Sequence, residues 1–180
     1  MKRKRILIVG GTGFIGYHLA CRCKKLNWDV ASISTKKPVR KRHLKKVKYH
    51  ICDISIRKDL KKIAKNKYDY LVNLGGYVDH INKRKTYRAH YLGAKNLFEI
   101  FKNKKLKSFI QIGSSMEYGD AKSPHKENII GIPKGAYAKS KFLASKFLIN
   151  CYDKYNFPVT VIRFYQLFGP NQDTNRFIPI

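Results

Sequence analysis

The chain has 180 residues, 43% of them hydrophobic, so it can bury the core of one domain and is too apolar for wholesale disorder. Lysine and arginine number 39 against 11 aspartates and glutamates, a formal net charge of +28 at pH 7. No apolar run approaches the ~20 residues of a membrane-spanning helix, which excludes an integral membrane protein of that kind.

Short apolar runs rich in β-branched residues alternate along the chain with segments of helical periodicity. The predicted strands are Ile6–Val9, Val30–Ile33, Val47–Ile51, Tyr70–Asn73, Phe109–Ile112 and Val159–Phe164. The predicted helices are Phe14–Leu26, Ile56–Lys65, a long helix around Tyr87–Lys102, and Tyr137–Tyr152. Strands that alternate with helices pair in parallel through right-handed crossovers. The pattern therefore predicts an α/β protein with a doubly wound parallel sheet.

A glycine-rich turn lies between the first predicted strand and the first predicted helix. Gly10, Gly13 and Gly16 have the spacing G-x-x-G-x-x-G, and Gly11 also satisfies G-x-G-x-x-G. Residues without a Cβ allow backbone amides to approach a pyrophosphate at a helix N-terminus. The expected cofactor-binding residues of this turn are Gly10, Gly13, Phe14, Ile15 and Gly16.

The end of the second predicted strand bears on the choice of dinucleotide. Sites that prefer NAD usually place an acid there, which holds the ribose 2′-hydroxyl. Here Ser34 occupies that place and Lys36 and Lys37 follow closely. A hydroxyl with nearby lysines suits a 2′-phosphate, so NADP(H) is favoured over NAD(H).

Tyr137 and Lys141 form a Y-x-x-x-K pair at the start of a predicted helix, where residues four apart share one face. A phenol with a pKa near 10 is a poor acid–base group at neutral pH, and a nearby ammonium stabilises its phenolate. The pair follows the strand that ends at Gly113-Ser114-Ser115. Together these residues predict an acid–base site.

The ordered set of motifs resembles the N-terminal part of the NAD(P)-dependent epimerase/dehydratase family, which are extended short-chain dehydrogenases/reductases with a Rossmann fold. The motifs are ILIVGGTGFIG, ICDIS, VNLGG, SSMEYG, YAKSK and RFYQLFGP. The resemblance covers essentially the whole chain.

This resemblance implies where the cofactor lies. It places Asp53 and Ile54 by the adenine, and Leu74, Gly75 and Gly76 along the dinucleotide.

The resemblance also implies catalytic roles. Ser114 would hydrogen-bond the reacting oxygen, Tyr137 would be the acid–base group, and Lys141 would hold the nicotinamide ribose and tune Tyr137. Ser115 and Gln166 would contact the substrate.

The chain departs from the family pattern at several positions. The 4,6-dehydratases usually carry acids directly after the catalytic threonine, where this chain has Ser115 and Met116, with Glu117 one place further on. His90 stands in place of an asparagine of the middle helix, either as a functional substitute or simply as a helix histidine. Gln166 also replaces an asparagine.

Because these departures disfavour water elimination, the sequence predicts a nucleotide-sugar oxidoreductase, most simply a 4-keto sugar reductase. A nucleotide-sugar 4-epimerase is the alternative enzyme. A non-catalytic module that binds a dinucleotide or a polyanion is the alternative from another class.

Residues 1–180 are interpreted as one NAD(P)-binding domain. Because the chain stops at RFIPI without a capping element, and family members usually continue into a substrate-binding domain, we expect that part to be missing. The full-length protein is expected to be a homodimer.

The partners and location follow from charge and cysteines. The basic stretch between Lys36 and Lys48 would attract polyanions, but lysines are spread over every predicted helix and nucleic-acid-binding signatures are absent, so specific nucleic-acid binding is not predicted. The four cysteines lack the spacing of a metal site. We therefore expect free thiols, no metal, no membrane partner and a cytoplasmic protein.

Overall fold

The computed structural model describes residues 2–77 and 82–174, so the RFIPI ending lies outside the described residues. Six parallel strands form one sheet in the order β3-β2-β1-β4-β5-β6. The strands are β1 Arg5–Val9, β2 Asp29–Ser34, β3 Val47–Ile51, β4 Tyr70–Asn73, β5 Ser108–Ser114 and β6 Val159–Phe164. This order reverses between β1 and β4, so two neighbouring strands there continue into connections on opposite sides of the sheet.

The α-helices are α1 Phe14–Lys25, α2 Arg57–Ile63, α3 Lys83–Tyr87, α4 Gly93–Phe101 and α5 Gly135–Tyr155. A π-helical turn, Arg88–Leu92, connects α3 to α4. Two short 3₁₀ turns cover Arg40–Arg42 and Ser115–Tyr118.

Both faces of the sheet are buried, as the alternation of side chains along β1 shows. Ile6 and Ile8 pack with Ala20 and Cys23 of α1 on one face. Leu7 and Val9 belong to a larger core on the other face, to which α2, α4 and α5 contribute apolar side chains. A parallel sheet that is covered on both faces needs such apolar strands. The predicted doubly wound α/β fold is therefore confirmed.

The middle helical segment differs from the prediction, because it begins at Lys83 rather than around Tyr87 and contains the π turn. The Asn82 side chain accepts a hydrogen bond from the Lys85 amide (2.9 Å), which caps the first turn. Apolar periodicity cannot reveal such a cap, since the first turn is polar.

Strand β5 also runs past its predicted end at Ile112 and reaches Ser114. The catalytic candidates on β5 and α5 thereby lie at the carboxyl edge of the sheet, close to the reversal in strand order. Among the described residues, no helix combines the length and the apolar character that crossing a bilayer requires.

Candidate active site

A cavity of about 700 Å³ lies at the carboxyl ends of β1, β4, β5 and β6. That volume is ample for a small-molecule ligand. The residues that line it are Gly10, Gly13, Phe14, Ile15, Gly16, Leu74, Gly75, Gly76, Tyr77, His90, Ile112, Gly113, Ser114, Ser115, Met116, Tyr137, Lys141, Phe164, Tyr165, Gln166, Leu167, Phe168, Gln172 and Asp173. The structure thus brings most of the sequence-predicted site residues into one cavity.

The glycines of the turn between β1 and α1 serve two different needs. Gly10 has φ +78°, and a Cβ there would lie 2.9 Å from the Leu74 carbonyl oxygen. A Cβ on Gly16 would overlap the backbone of Gly10 and Gly11, so Gly16 allows the helix to start against the turn. Gly13 has ordinary extended backbone, and a Cβ there would meet only the Gly10 carbonyl oxygen, at 3.3 Å. Its bare face is therefore open to the cavity.

The opposite wall of the cavity is also built from glycines. A Cβ on Gly75 would lie 2.8 Å from Val9 Cγ1, and a Cβ on Gly76 would overlap the His90 ring. The Gly75 amide donates to Asn73 Oδ1 (3.1 Å), which fixes the chain where it leaves β4. Bare backbone on both sides of a helix N-terminus fits the pyrophosphate of a dinucleotide.

The predicted residues at the adenosine end do not line the cavity. The Ser34 hydroxyl donates to the Ile33 carbonyl (2.7 Å) and accepts from the Thr12 amide (3.3 Å), so it ties β2 to the glycine turn. Lys36 is exposed just beyond it.

The other two residues predicted beside the adenine have structural contacts of their own. Asp53 accepts from the Ser55 amide (2.8 Å). Ile54 is buried, and a Cβ on Gly93 would lie 2.7 Å from its Cγ1. The proposed contacts of Ser34, Lys36, Asp53 and Ile54 with a cofactor stay predictions.

Ser114 is the last residue of β5, and the 3₁₀ turn that follows orients its hydroxyl. Its Oγ accepts a hydrogen bond from the Met116 amide (3.2 Å). A hydroxyl that accepts from an amide keeps its own proton for donation. Ser114 can therefore donate to an oxygen atom in the cavity, which is the role predicted for it.

Tyr137 and Lys141 lie on the first two turns of α5, with Lys141 Nζ 6.0 Å from the centroid of the Tyr137 ring. The Lys141 ammonium donates to the Ile112 carbonyl oxygen (2.9 Å) and is 5% exposed. Desolvation by burial lowers the pKa of Lys141 to about 8, and the charge of Glu117 acts in the opposite direction. A buried cation beside a phenol favours the phenolate, which is the arrangement that an acid–base tyrosine needs.

His90 lies on the π turn and is 3% exposed. Its ring meets the Tyr137 ring edge-on, with centroids 5.2 Å apart, and its Nε2 lies 3.2 Å from the Tyr77 carbonyl oxygen. The histidine therefore forms part of the cavity wall beside Tyr137. Both interpretations offered from the sequence stay open, since a wall residue can be functional or only structural.

Glu117 does not line the cavity, although Ser115 and Met116, the two residues directly before it in the turn, do. Its carboxylate accepts from the Ser114 amide (2.8 Å) and from Arg163 Nε (3.2 Å). The side chain therefore points into the protein between β5 and β6 and is not placed to act on a ligand in the cavity.

The segment that follows β6 supplies the remaining wall. Gln166 lies there as predicted, next to Tyr165, whose hydroxyl lies 2.8 Å from His125 Nδ1. Gln172 and Asp173 also line the cavity, and no motif pointed to them or to Tyr77. Asp173 is held by Arg42 Nη2 (2.8 Å), a contact between residues 131 positions apart.

Curated relatives align with nearly the whole of this chain. A dTDP-D-glucose 4,6-dehydratase of Dictyostelium discoideum is 28% identical over 205 residues, which cover 98% of this chain and 46% of the relative. The chain spans about half the length of the curated relatives it matches.

Solved structures share the fold. The UDP-glucose 4-epimerase of Thermotoga maritima, solved with UDP-glucose, superposes with a TM-score of 0.88 at 20% identity and covers 95% of this chain and 58% of its own. The UDP-glucose 4-epimerase of Thermus thermophilus, solved with NAD, has a TM-score of 0.85 at 20% identity and covers 94% of this chain and 57% of its own.

The model of one protein family matches residues 6–180, which is nearly the whole chain. The match includes the glycine turn, the strand that ends at Ser114, and the Tyr137–Lys141 pair. The chain belongs to the NAD dependent epimerase/dehydratase family.

Proposed function

We propose that this chain is the dinucleotide-binding part of a nucleotide-sugar oxidoreductase that reduces a 4-keto sugar. The observation that carries the proposal is the meeting of Ser114, Tyr137 and Lys141 in one cavity, with Ser115 and Met116 where a dehydratase has acids. A dinucleotide held by the glycine turn would supply hydride to the sugar carbon.

The side chains would act on the carbonyl oxygen of the sugar. The Ser114 hydroxyl would donate a hydrogen bond to it, and Tyr137 would deliver the proton that makes it an alcohol. Lys141 would stabilise the phenolate that remains on Tyr137. No further proton shuttle is needed for reduction.

Elimination of water would need another acid–base group beside Ser114. Of residues 2–77 and 82–174, the one carboxylate that lines the cavity is Asp173, and it is ion-paired with Arg42. Glu117 is turned away into the protein. This arrangement favours reduction over dehydration.

Net oxidation of NADPH by a 4-keto nucleotide sugar tests the proposal. We expect one alcohol formed for each NADPH consumed. Recovery of tightly held NAD with the purified protein, together with interconversion of two sugar epimers and no net oxidation, would indicate the 4-epimerase. Retention on a nucleic-acid column at physiological salt without cofactor binding would indicate the polyanion-binding module.

We propose NADP(H) as the favoured cofactor, because β2 ends in Ser34 and not in an acid that would repel a 2′-phosphate. The exposed ammonium of Lys36 lies two residues beyond that end. Calorimetric titration should show NADPH binding roughly tenfold tighter than NADH, about 1.4 kcal/mol.

Two variants sharpen that titration. Lys36→Glu should abolish the preference, while Lys104→Glu makes the same charge change on the exposed connection before β5 and should retain it. Equal affinities for the two cofactors in the unchanged chain would contradict the proposal.

We also propose a cytoplasmic homodimer. The four free cysteines suit a reducing compartment. Exposed apolar side chains on α5, among them Leu143 and Ile149, suit burial against a second copy. Light scattering of the purified full gene product should give twice the monomer mass, and cell fractionation should recover the protein with the cytoplasm.

A further inference from the structure

The carboxylate of Glu117 is the most deeply buried charged group beside the candidate site. The residue is 1% exposed, and its two oxygens have different partners. Oε1 accepts from the Ser114 amide (2.8 Å), and Oε2 accepts from Arg163 Nε (3.2 Å). A buried carboxylate with both oxygens engaged is costly to move, so it fixes the groups around it.

The end of β5 is shaped around this carboxylate. A Cβ on Gly113 would overlap Glu117 Oε1, so glycine makes the room for it. Arg163 pairs with Gly113 across the β5–β6 ladder and reaches Glu117 from there. Arg163 also stacks over the Tyr118 ring (4.7 Å) and donates to the Glu127 carbonyl (3.1 Å), so the partner of Glu117 is itself held in place.

Lys141 binds the same three-residue stretch of β5. Its ammonium donates to the carbonyl of Ile112, two residues before the amide that Glu117 accepts from. Glu117 and Lys141 thus hold the backbone on either side of Gly113. The cation and the anion therefore lie along one short stretch of buried backbone, where little water screens the charges from each other.

We propose that Glu117 is a positioning residue for the proposed reduction: it fixes the backbone of Ser114 and keeps Lys141 charged beside Tyr137. The part of this inference that concerns catalysis rests on the proposed function. It assigns Glu117 no contact with substrate or cofactor.

The titratable and charged groups around Lys141 come from four elements. Tyr137 of its own helix lies beside it, and His90 of the π turn meets the Tyr137 ring edge-on. Glu117 of the 3₁₀ turn holds the backbone next to the carbonyl that Lys141 contacts, and it pairs with Arg163 of β6. Of these, Glu117 is the carboxylate, and Arg163 offsets part of its charge. Burial lowers the pKa of Lys141 and the charge of Glu117 raises it, which agrees with this arrangement.

The two partners of the pair should therefore shift the titration of Lys141 in opposite directions. Glu117→Gln removes the negative charge at nearly constant shape, so the midpoint should fall by about one pH unit. Arg163→Gln leaves the carboxylate uncompensated, so the midpoint should rise. A purely structural role for Glu117 would give no such opposition.

The experiment is a pH titration by carbon-13 NMR of the 180-residue chain with ¹³Cε-labelled lysine. One lysine should titrate near pH 8, and Lys141→Arg identifies its signal. Asp153→Asn is the control, because it also removes one negative charge, from an exposed residue near the far end of α5, and should leave the midpoint in place.

A midpoint that is unchanged in Glu117→Gln, or that moves the same way in both variants, overturns the inference. If one of the two variants does not fold, the other still tests the inference. The titration needs neither cofactor nor substrate, so it is independent of the proposed function. If the midpoints shift as expected in a protein that reduces no 4-keto sugar, the reduction is wrong while the effect of Glu117 on Lys141 stands.

Discussion

Tyr137→Phe is expected to lower the turnover of a 4-keto nucleotide sugar by about 10²–10⁴-fold, the usual contribution of an acid–base group. The change removes one phenolic oxygen and alters little else, so the edge-on contact with His90 is retained. The affinity for NADPH should stay within about twofold of the unchanged protein. Steady-state NADPH oxidation and calorimetric titration of the full gene product would measure both.

Tyr152→Phe is the matched control for that variant. Tyr152 lies on the same helix, is 54% exposed, and does not line the cavity. Its loss of a hydroxyl should leave turnover unchanged. Unimpaired turnover in Tyr137→Phe would refute the role given to Tyr137.

The same assay bears on the proposed missing substrate-binding part, because the chain spans only about half of its curated relatives. Correct positioning of reactants can contribute about 7–11 kcal/mol of barrier reduction in well-oriented cases. Residues 1–180 alone should therefore bind NADPH yet be nearly inactive beside the full gene product. Full activity of residues 1–180 would contradict this proposal.

Gly13→Val is expected to weaken dinucleotide binding by about 100-fold or more, because a branched side chain would occupy the open face where a pyrophosphate meets the start of α1. The backbone there is extended, and the Gly10 carbonyl oxygen, 3.3 Å from a Cβ, needs to shift by only a few tenths of an ångström, so the variant should fold. At a concentration 100 times the original Kd, NADPH stabilises the unchanged protein by about 2.7 kcal/mol, and a 100-fold weaker Kd leaves about 0.4 kcal/mol. A thermal-shift assay resolves that difference.

Gly16→Val serves as the contrasting variant. Its side chain would overlap the backbone of Gly10, so it should destabilise the protein even without ligand. Gly13→Ala should lie between Gly13→Val and the unchanged chain in affinity. If Gly13→Val folds and still shows the full NADPH-dependent shift, the glycine turn is not the binding site.

The sequence predicted best what depends on neighbouring residues. The apolar run Ile6–Val9 followed by the glycine turn predicted a buried strand and then a helix. The structure has β1 and α1 at these places. Tyr137 and Lys141 share a helix, so their spacing alone placed them on one face. The alternation of strands and helices also predicted a doubly wound parallel sheet, and that prediction is confirmed.

Contacts between distant residues could not be predicted in the same way. Glu117 and Arg163 are 46 positions apart, and nothing in either segment shows that the 3₁₀ turn after β5 meets β6 there. The π turn at His90 was hidden too, because one added residue in a helix leaves no mark on an otherwise helical pattern. The adenosine contacts of Asp53 and Ile54, inferred by resemblance, stay predictions.

The walls of the cavity come from both ends of the described chain, from Gly10 to Asp173. As the ribosome releases the chain, β1, β2 and β3 emerge first and can pair with one another. The central strand β1 still lacks its other neighbour, β4, and the wall after β6 does not yet exist. A dinucleotide therefore finds only part of its site on such a nascent chain. We therefore expect the sheet to fold before the proposed site can bind its cofactor.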